Sequence, residues 1–335
     1  MADQAIVNVQ VVHGNALEVD ADVLALKYAR KFYGVDLEVA SRLQPYVSVS
    51  DMSPPIGGFR VLPTHGTITA SHVLFVGVVR LYNFSYRQIR EFSVQILGHL
   101  AEEAPSTQVL ALTLHGPRYG LDESECFLSE LAGLVEAVTM GKYPHRLTMV
   151  KIVEFDGRRA ERLSELLENQ LPGGRIEADE GRLRHRLGVQ RSEALREVGY
   201  DSGEKPHVFV AMPFADGLSD LFHYGIRQAV NSIGLLCERI DLEPGVGDVL
   251  ASMKDRIRTA KWVVAELTSA NPNVYLEVGY AWGSGVPTIL LVKKDQVDSL
   301  CFDVAGQKFV TYSNIQDLEK KLSRVLSTLE SSQTK

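Results

Sequence analysis

Cysteine is scarce: Cys126, Cys237 and Cys301 are the only three among 335 residues. They are odd in number, far apart and in apolar surroundings, which argues against a disulfide framework. Neither a Cys-x-x-Cys pair nor Cys/His metal spacing occurs, so they read as reduced core thiols of a cytoplasmic protein. Long apolar runs are also missing. None approaches the roughly 18 residues of a membrane span. The opening MADQAIVNVQVVHG has no basic segment followed by an apolar core, so neither a membrane partner nor an export signal is expected. Positive charge is in deficit, and a net charge of −7 argues against general affinity for nucleic acid or acidic lipid. Repeats and low-complexity segments are absent. What remains is an ordinary globular composition, 45% apolar and 23% charged, with length enough for two domains.

Residues 1–170 alternate strands with helices. Apolar runs at 6–12, 22–27, 59–62, 67–69, 73–79, 108–114 and 147–154 predict strands, and 3.6-residue periodicity predicts helices at 84–103, 124–140 and 157–170. This pattern is that of an α/β domain. Residues 171–205 open with Pro172-Gly173-Gly174 and are rich in charge, as expected of a linker with one short helix. Their cluster Arg182, Arg184, His185, Arg186 and Arg191 can be read either as a solvated face or as a phosphate contact.

A second α/β domain is predicted over 206–335. Strands are expected at 207–212, 235–240, 262–267, 287–292 and 308–312, with helices at 218–232, 248–260, 271–283 and 315–329. A flavodoxin-like doubly wound parallel sheet is the simplest packing. Such sheets bind ligands in the crevice outside the carboxyl ends of their strands. The residues that reach this edge are Met212, Pro213 and Phe214 after the first strand, Arg239 and Asp241 ending the second, and Glu266 and Thr268 ending the third. Asn271, Asn273 and Glu277 follow, with Asn271-Pro272 forming a cap and first helical position.

Glu277 is the informative residue. A carboxylate one to two turns into a helix, beside Val274, Val278 and Ala281, is either a solvated side chain or one of several acidic groups facing a crevice. Clustered carboxylates that exclude water force at least one pKa upward. Paired carboxylates are the recurring apparatus for breaking glycosidic bonds. Metal binding is the rival use, but no Asp-x-Asp pair or His cluster stands beside them, so no metal and no cofactor is expected. In the first half, the loop His115 to Glu123, with Gly116, Tyr119 and Gly120, reads either as a Gly-rich strand-to-helix turn capped by Asp122 or as a phosphate cradle.

VFVAMPF (208–214), the acidic strand end at 238–241, RIRTAKWVVAELT (256–268) and NPNVYLEVGYAWGSGVPTILL (271–291) resemble the nucleoside 2-deoxyribosyltransferase family. They are similar also to its relatives, the deoxynucleotide N-glycosidases and TIR-like nucleotide-binding domains. The resemblance covers about residues 206–313. It implies that Glu277 is the nucleophile at the anomeric carbon and that Glu266 contacts the sugar or leaving base. It further implies that Met212, Pro213 and Phe214 close over ribose or phosphate, with Tyr224 and Asp241 as further contacts. Met-Pro-Phe departs from the small Gly- or Ser-containing turn of the transferases, which shifts the implied reaction from base transfer toward hydrolysis or plain nucleotide binding. TIR-like relatives break the nicotinamide–ribose bond of NAD, so NAD is implied as a substrate rather than a cofactor.

VNVQVVHGNALEVDADVLALKYA (7–29) resembles the opening of a macro domain, with Gly14 and Asn15 at its ligand turn. The Asn-Ala-Ala-Asn loop of that family is replaced by Lys27-Tyr28-Ala29-Arg30. Together the two resemblances imply a ligand-controlled effector, as in antiphage systems: a first domain that takes a nucleotide-derived signal and a second that cleaves a nucleotide. They imply also a homo-oligomer. A non-catalytic nucleotide sensor, a deoxyribosyltransferase and a protein-interaction module remain the alternatives.

Overall fold

The computed structural model describes residues 6–117, 119–177, 195–240, 249–299 and 307–333. The protein consists of two α/β units: Met1–Gly116 with Glu123–Gly203, and Pro117–Asp122 with Glu204–Lys335.

The first unit is a mixed seven-stranded sheet. Its strands are β1 (Ile6–His13), β2 (Val23–Tyr28), β3 (Phe59–Pro63), β4 (His72–Gly77), β5 (Val109–Leu112), β6 (Met149–Glu154) and β7 (Arg175–Glu177). Their order is β3-β4-β2-β5-β6-β1-β7, parallel except where β3 joins β4 and β7 joins β1. Helices α1 (Val35–Leu43), α2 (Val49–Met52), α3 (Tyr86–Glu103), α4 (Glu123–Thr139) and α5 (Gly157–Gln170) complete it. Ser85 starts α3 with a capping box closed by Gln88, and Asp156 caps α5 by accepting from the Arg159 N–H. Leu24, Leu26, Val39, Leu43, Met52 and Phe75 build one of its cores.

Three differences from the sequence pattern have physical causes. Residues 67–69 are not a strand. His65 and Gly66 both take positive φ (52° and 74°) and turn the chain between antiparallel β3 and β4. Helix α1 escapes notice because Gly34 precedes it and no side chain caps it. The stretch read as a linker contributes β7, which Gly174 admits: a Cβ there would lie 2.0 Å from the Val9 carbonyl oxygen. Further along, Arg90 donates to the carbonyls of Leu195, Arg196 and Val198 at 3.2, 2.6 and 2.6 Å, tying residues 195–198 to α3. The Arg182–Arg191 cluster lies outside the described residues.

The second unit is a five-stranded parallel sheet. Its strands β8 (His207–Ala211), β9 (Leu236–Glu238), β10 (Trp262–Glu266), β11 (Thr288–Lys293) and β12 (Phe309–Tyr312) lie in the order β12-β11-β10-β8-β9. Numbered within the unit this is 2-1-3-4-5, the doubly wound order whose direction reverses between β8 and β10. All five residues of β8 and of β10 are buried, as a parallel strand covered on both faces requires. Leu318, Leu322 and Leu326 of the Ile315–Gln333 helix are wholly buried in the core. The helix expected over 218–232 is π-helical from Leu221 to Arg227 before continuing as an α-helix through Asn231. Gly225 within it packs close to Leu318, where a Cβ would come within 3.0 Å.

Tyr119 forms a bridge with Ile240, and Asp122 accepts the Cys237 N–H at 3.0 Å, so part of the loop that could be read as a strand-to-helix turn or as a phosphate cradle serves as an edge beside β9. Gly120 (φ +95°) is required there, since a Cβ would meet the Ile240 side chain at 2.9 Å. Cys126 and Cys237 are buried free thiols; Cys301 lies outside the described residues. Among the described residues no helix is long and apolar enough to cross a membrane.

Candidate functional site

The candidate site begins where β10 ends. Glu266, its last residue, is wholly buried. Its Oε1 accepts from the Tyr312 hydroxyl at 2.9 Å and from the Thr268 N–H at 3.2 Å, and the Thr268 hydroxyl also bonds to it. Thr268 Oγ1 in turn accepts the Lys293 N–H at 2.9 Å. Three adjacent strand ends are thereby locked together around one carboxylate oxygen. Oε2 is buried and has no hydrogen-bond partner among the described residues. Glu266 is thus not the solvated edge charge that spacing alone allowed. Burial, and next to it the neighbouring Glu266 carboxylate, push the Tyr312 hydroxyl well above its usual range, although the bond to Thr268 acts the other way.

After Thr268 the chain turns through Ala270, whose φ of 49° lies in the left-handed region that a side chain rarely adopts. Asn271 then caps the helix Pro272–Gly283 by accepting the Asn273 N–H at 2.9 Å. Asn271 therefore positions the helix, and Asn273 is exposed. The helix packs against β8, β10 and β11. Its buried stripe is Val274, Glu277, Val278 and Ala281, the i, i+3, i+4, i+7 positions of one face. Glu277 thus occupies an apolar position and is only 7% exposed. Among the described residues no donor reaches its carboxylate. Burial alone pushes its pKa from 4.5 up to about 8. The solvated reading of Glu277 is overturned by this burial.

The loop after β8 leaves from the same edge of the sheet, since β8 pairs in parallel with β10. Met212 is buried, Pro213 half-buried, and Phe214 44% exposed. Arg239, immediately after β9, lies with its guanidinium 4.2 Å from the Phe214 ring centroid and 4.0 Å from that of Phe222. It also donates to Met212 Sδ at 3.4 Å. Tyr224 is 42% exposed on the π-helical turn, and Asp241 lies outside the described residues.

In the first unit, Gly14 and Asn15 line a cleft of about 320 Å³ at the carboxyl ends of β1, β5 and β6, together with Leu17, Thr113, Glu154 and Phe155. Asn15 Oδ1 accepts the Leu17 N–H at 3.1 Å and its Nδ2 donates to Glu18, holding the turn open. His115, Gly116, Tyr119 and Gly120 are not among the lining residues. His115 is buried against Phe92, and burial, followed by the charges of Lys27 and Arg159, drives its pKa well below the usual histidine value. Of the six candidate ligand residues in this half, folding brings Gly14 and Asn15 to this cleft. The aromatic clamp on Arg239 was not foreseeable, since residues 214, 222 and 239 meet only through the β8–helix–β9 crossover.

No protein-family profile and no curated protein matches this sequence. Among solved structures the chain is similar to a Trypanosoma brucei macrodomain in complex with ADP, at 12% identity over 48% of this chain and 69% of that one, TM-score 0.41. An Oceanobacillus iheyensis macrodomain with ADP matches at 13% identity over 50% of this chain and 97% of that one, TM-score 0.37. A Clostridium botulinum CMP N-glycosidase matches at 16% identity over 36% of this chain and 98% of that one, TM-score 0.28.

Proposed function

We propose that the second unit is an N-glycosidase that cleaves the base–ribose bond of a nucleotide, NAD or a (deoxy)nucleotide, with Glu277 as the nucleophile and Glu266 assisting. The observation that carries this reading is Glu277 itself: a buried carboxyl, with no donor among the described residues, on the sheet-facing stripe of the helix that follows β10. A fold has no packing use for such a group, and perturbed carboxyls concentrate where chemistry is done.

In this scheme Glu277 Oε attacks the anomeric carbon as the C1′–N bond breaks and its electron pair leaves with the base. Water then hydrolyses the glycosyl ester, releasing the (deoxy)ribose with its phosphate still attached, ADP-ribose in the case of NAD, and restoring the carboxylate. A nucleophile must be ionised, yet a group with a pKa of about 8 is mostly protonated near neutrality. A cation beside it lowers that value. A pyridinium base, or positive charge developing on the sugar, supplies one at the moment of reaction, which supports NAD within the substrate class. Glu266, bonded by Tyr312 and Thr268, offers its Oε2, which no described residue pairs, to a donor on the sugar or base.

The first unit, in this reading, takes a nucleotide-derived signal in the cleft of Gly14 and Asn15 and controls the second. The rival reading, a nucleotide sensor without turnover, is favoured by the same protonated state of Glu277, which suits a hydrogen-bond donor. Chromatography separates the two. The full chain is incubated with NAD, deoxynucleosides, deoxynucleotides and ribonucleotides, alone and with ADP-ribose present. Free base from one substrate, lost in Glu277→Gln, is expected. A melting shift with no free base under either condition assigns the protein to the sensor class.

A further inference from the structure

A further pocket of the first unit, about 370 Å³, shares no lining residue with the cleft of Gly14 and Asn15. It opens at the carboxyl ends of β2 and β4, which run parallel with Tyr28 opposite Gly77. Its lining is Tyr28, Arg30, Pro54, Pro55, Ile56 and Val78: apolar or aromatic side chains and a single cation.

The walls are fixed from behind. Tyr28 packs on Phe32 at 4.8 Å between ring centroids, and Phe32 packs on the wholly buried Phe75 at 5.1 Å. The turn after Pro54 is closed by the Gly58 N–H, which donates to the Pro55 carbonyl at 2.9 Å. It is tied to β4 where the Gly57 N–H donates to the Gly77 carbonyl and the Gly77 N–H to the Gly58 carbonyl, both at 2.9 Å. A Cβ at Gly77 would lie 1.9 Å from the Pro55 carbonyl oxygen, so only glycine admits this approach. Walls already held in this way have little freedom left to lose when a ligand arrives.

Arg30 is held in a conformation that its residue type disfavours. Its φ is 61°, in the left-handed region, and the Tyr28 hydroxyl donates to its carbonyl at 3.1 Å. Among the described residues its guanidinium has no hydrogen-bond, ion-pair or ring partner. Glycine would take that backbone without strain, so packing does not account for an arginine there, and backbone outliers of this kind cluster at ligand sites. The lining also says what does not fit. Neither a carboxylate nor an amide lines the pocket, and the carbonyls of Tyr28, Arg30 and Pro55 are engaged by Val78, Tyr28 and Gly58. A nucleobase would leave its donors unpaired. The complement is an apolar body with one acid group.

We propose that this pocket binds a small organic acid, an apolar ring carrying a carboxylate or a phosphate, with Arg30 taking the acid group and Tyr28, Pro54, Pro55 and Ile56 the ring. The proposal is independent of the glycosidase reading.

Calorimetry on the full chain compares naphthoate, naphthyl phosphate, the uncharged naphthylmethanol and inorganic phosphate. At least one of the two aromatic acids should bind, about 10-fold or more tightly than the alcohol and than inorganic phosphate. Arg30→Gln should reduce the acids to the level of the alcohol. Arg30→Gly should do the same without lowering the melting temperature, which separates loss of a ligand contact from loss of the fold. In a methyl-labelled isoleucine spectrum, with Ile56→Val to assign the signal, the acid should shift the Ile56 methyl. Ile56→Ser, at this exposed rim, should weaken both acids several-fold. A preference for naphthoate names a carboxylate ligand, and a preference for naphthyl phosphate names a phosphate ester. No binding of either acid, the alcohol or inorganic phosphate bound as tightly, an acid preference that survives Arg30→Gln, or an unmoved Ile56 methyl overturns the proposal. None of these outcomes depends on base release, so failure here leaves the glycosidase reading where it stood.

Discussion

Glu266 and Glu277 stand eleven residues apart, are both buried, and have been given opposite surroundings. Glu266 ends a strand, and one of its oxygens collects the Tyr312 hydroxyl and both donors of Thr268. Glu277 sits on an apolar helix face with no donor among the described residues, and burial lifts its pKa to about 8. The first arrangement gives the carboxyl hydrogen-bond partners and joins the strand ends β10, β11 and β12. The second destabilises a carboxylate, which folding tolerates only if something else requires it. Burial alone therefore does not distinguish these two carboxyls; the donors around each do.

The comparison can be broken most severely by removing the carboxyl that lacks donors. Glu277→Gln should lower base release by at least about 100-fold, the contribution of a positioned acid or base at the low end of its range. Glu266→Ala should cost activity less and stability more.

The same pair predicts opposite stability effects. Below pH 4.5 Glu277 is protonated whether the chain is folded or unfolded, and contributes nothing. Above it, the unfolded chain releases the proton that the folded chain keeps, so stability falls until the pH passes about 8. Glu277→Gln removes this loss. The variant should gain stability over the parent between pH 4.5 and 8, on the order of 4 kcal/mol at the upper end. Urea melts at pH 5 and pH 8.5 measure the gain, and an equal difference at the two values would contradict it. Glu266→Ala, which leaves Tyr312 and Thr268 without their acceptor, should destabilise by about 3 kcal/mol in the same melts.

The approach to the helix gives the smallest effects. Asn271→Ala should cost about 1 kcal/mol through loss of the cap. Ala270→Gly should gain about 1 kcal/mol, because a glycine accepts the left-handed conformation without penalty. Thermal melts of the two variants should move in opposite directions.

Much of this was legible in the chain. The continuous apolar runs of β8 and β10, the Asn-Pro cap and the Val274–Ala281 stripe follow from local spacing, and they locate Glu277 on the sheet-facing side of its helix. The tie from Tyr312 to Glu266 was not legible, because it spans 46 residues and depends on β12 lying beyond β11. Arg239 was visible as a strand-end charge, but its aromatic clamp depends on the β8–helix–β9 crossover and a π-helical turn that no periodicity announces. In the first unit, Gly14 and Asn15 follow directly from the end of β1, whereas His115 was a candidate only as part of the Gly-rich loop 115–123 and proves to be packed against Phe92. Local signals thus found what the backbone sets down, and long-range pairing decided which of those groups kept a partner.

The central claim is that Glu277 is buried with no donor among the described residues, so that its carboxyl keeps its proton near neutrality until a ligand changes its surroundings. Its most direct test is a carbon-13 NMR titration of the carboxyl-labelled glutamates in the full chain, with Glu277→Gln to assign the resonance. The account predicts one carboxyl that titrates near 8 and disappears in the variant. A Glu277 resonance that titrates near 4.5 would contradict it.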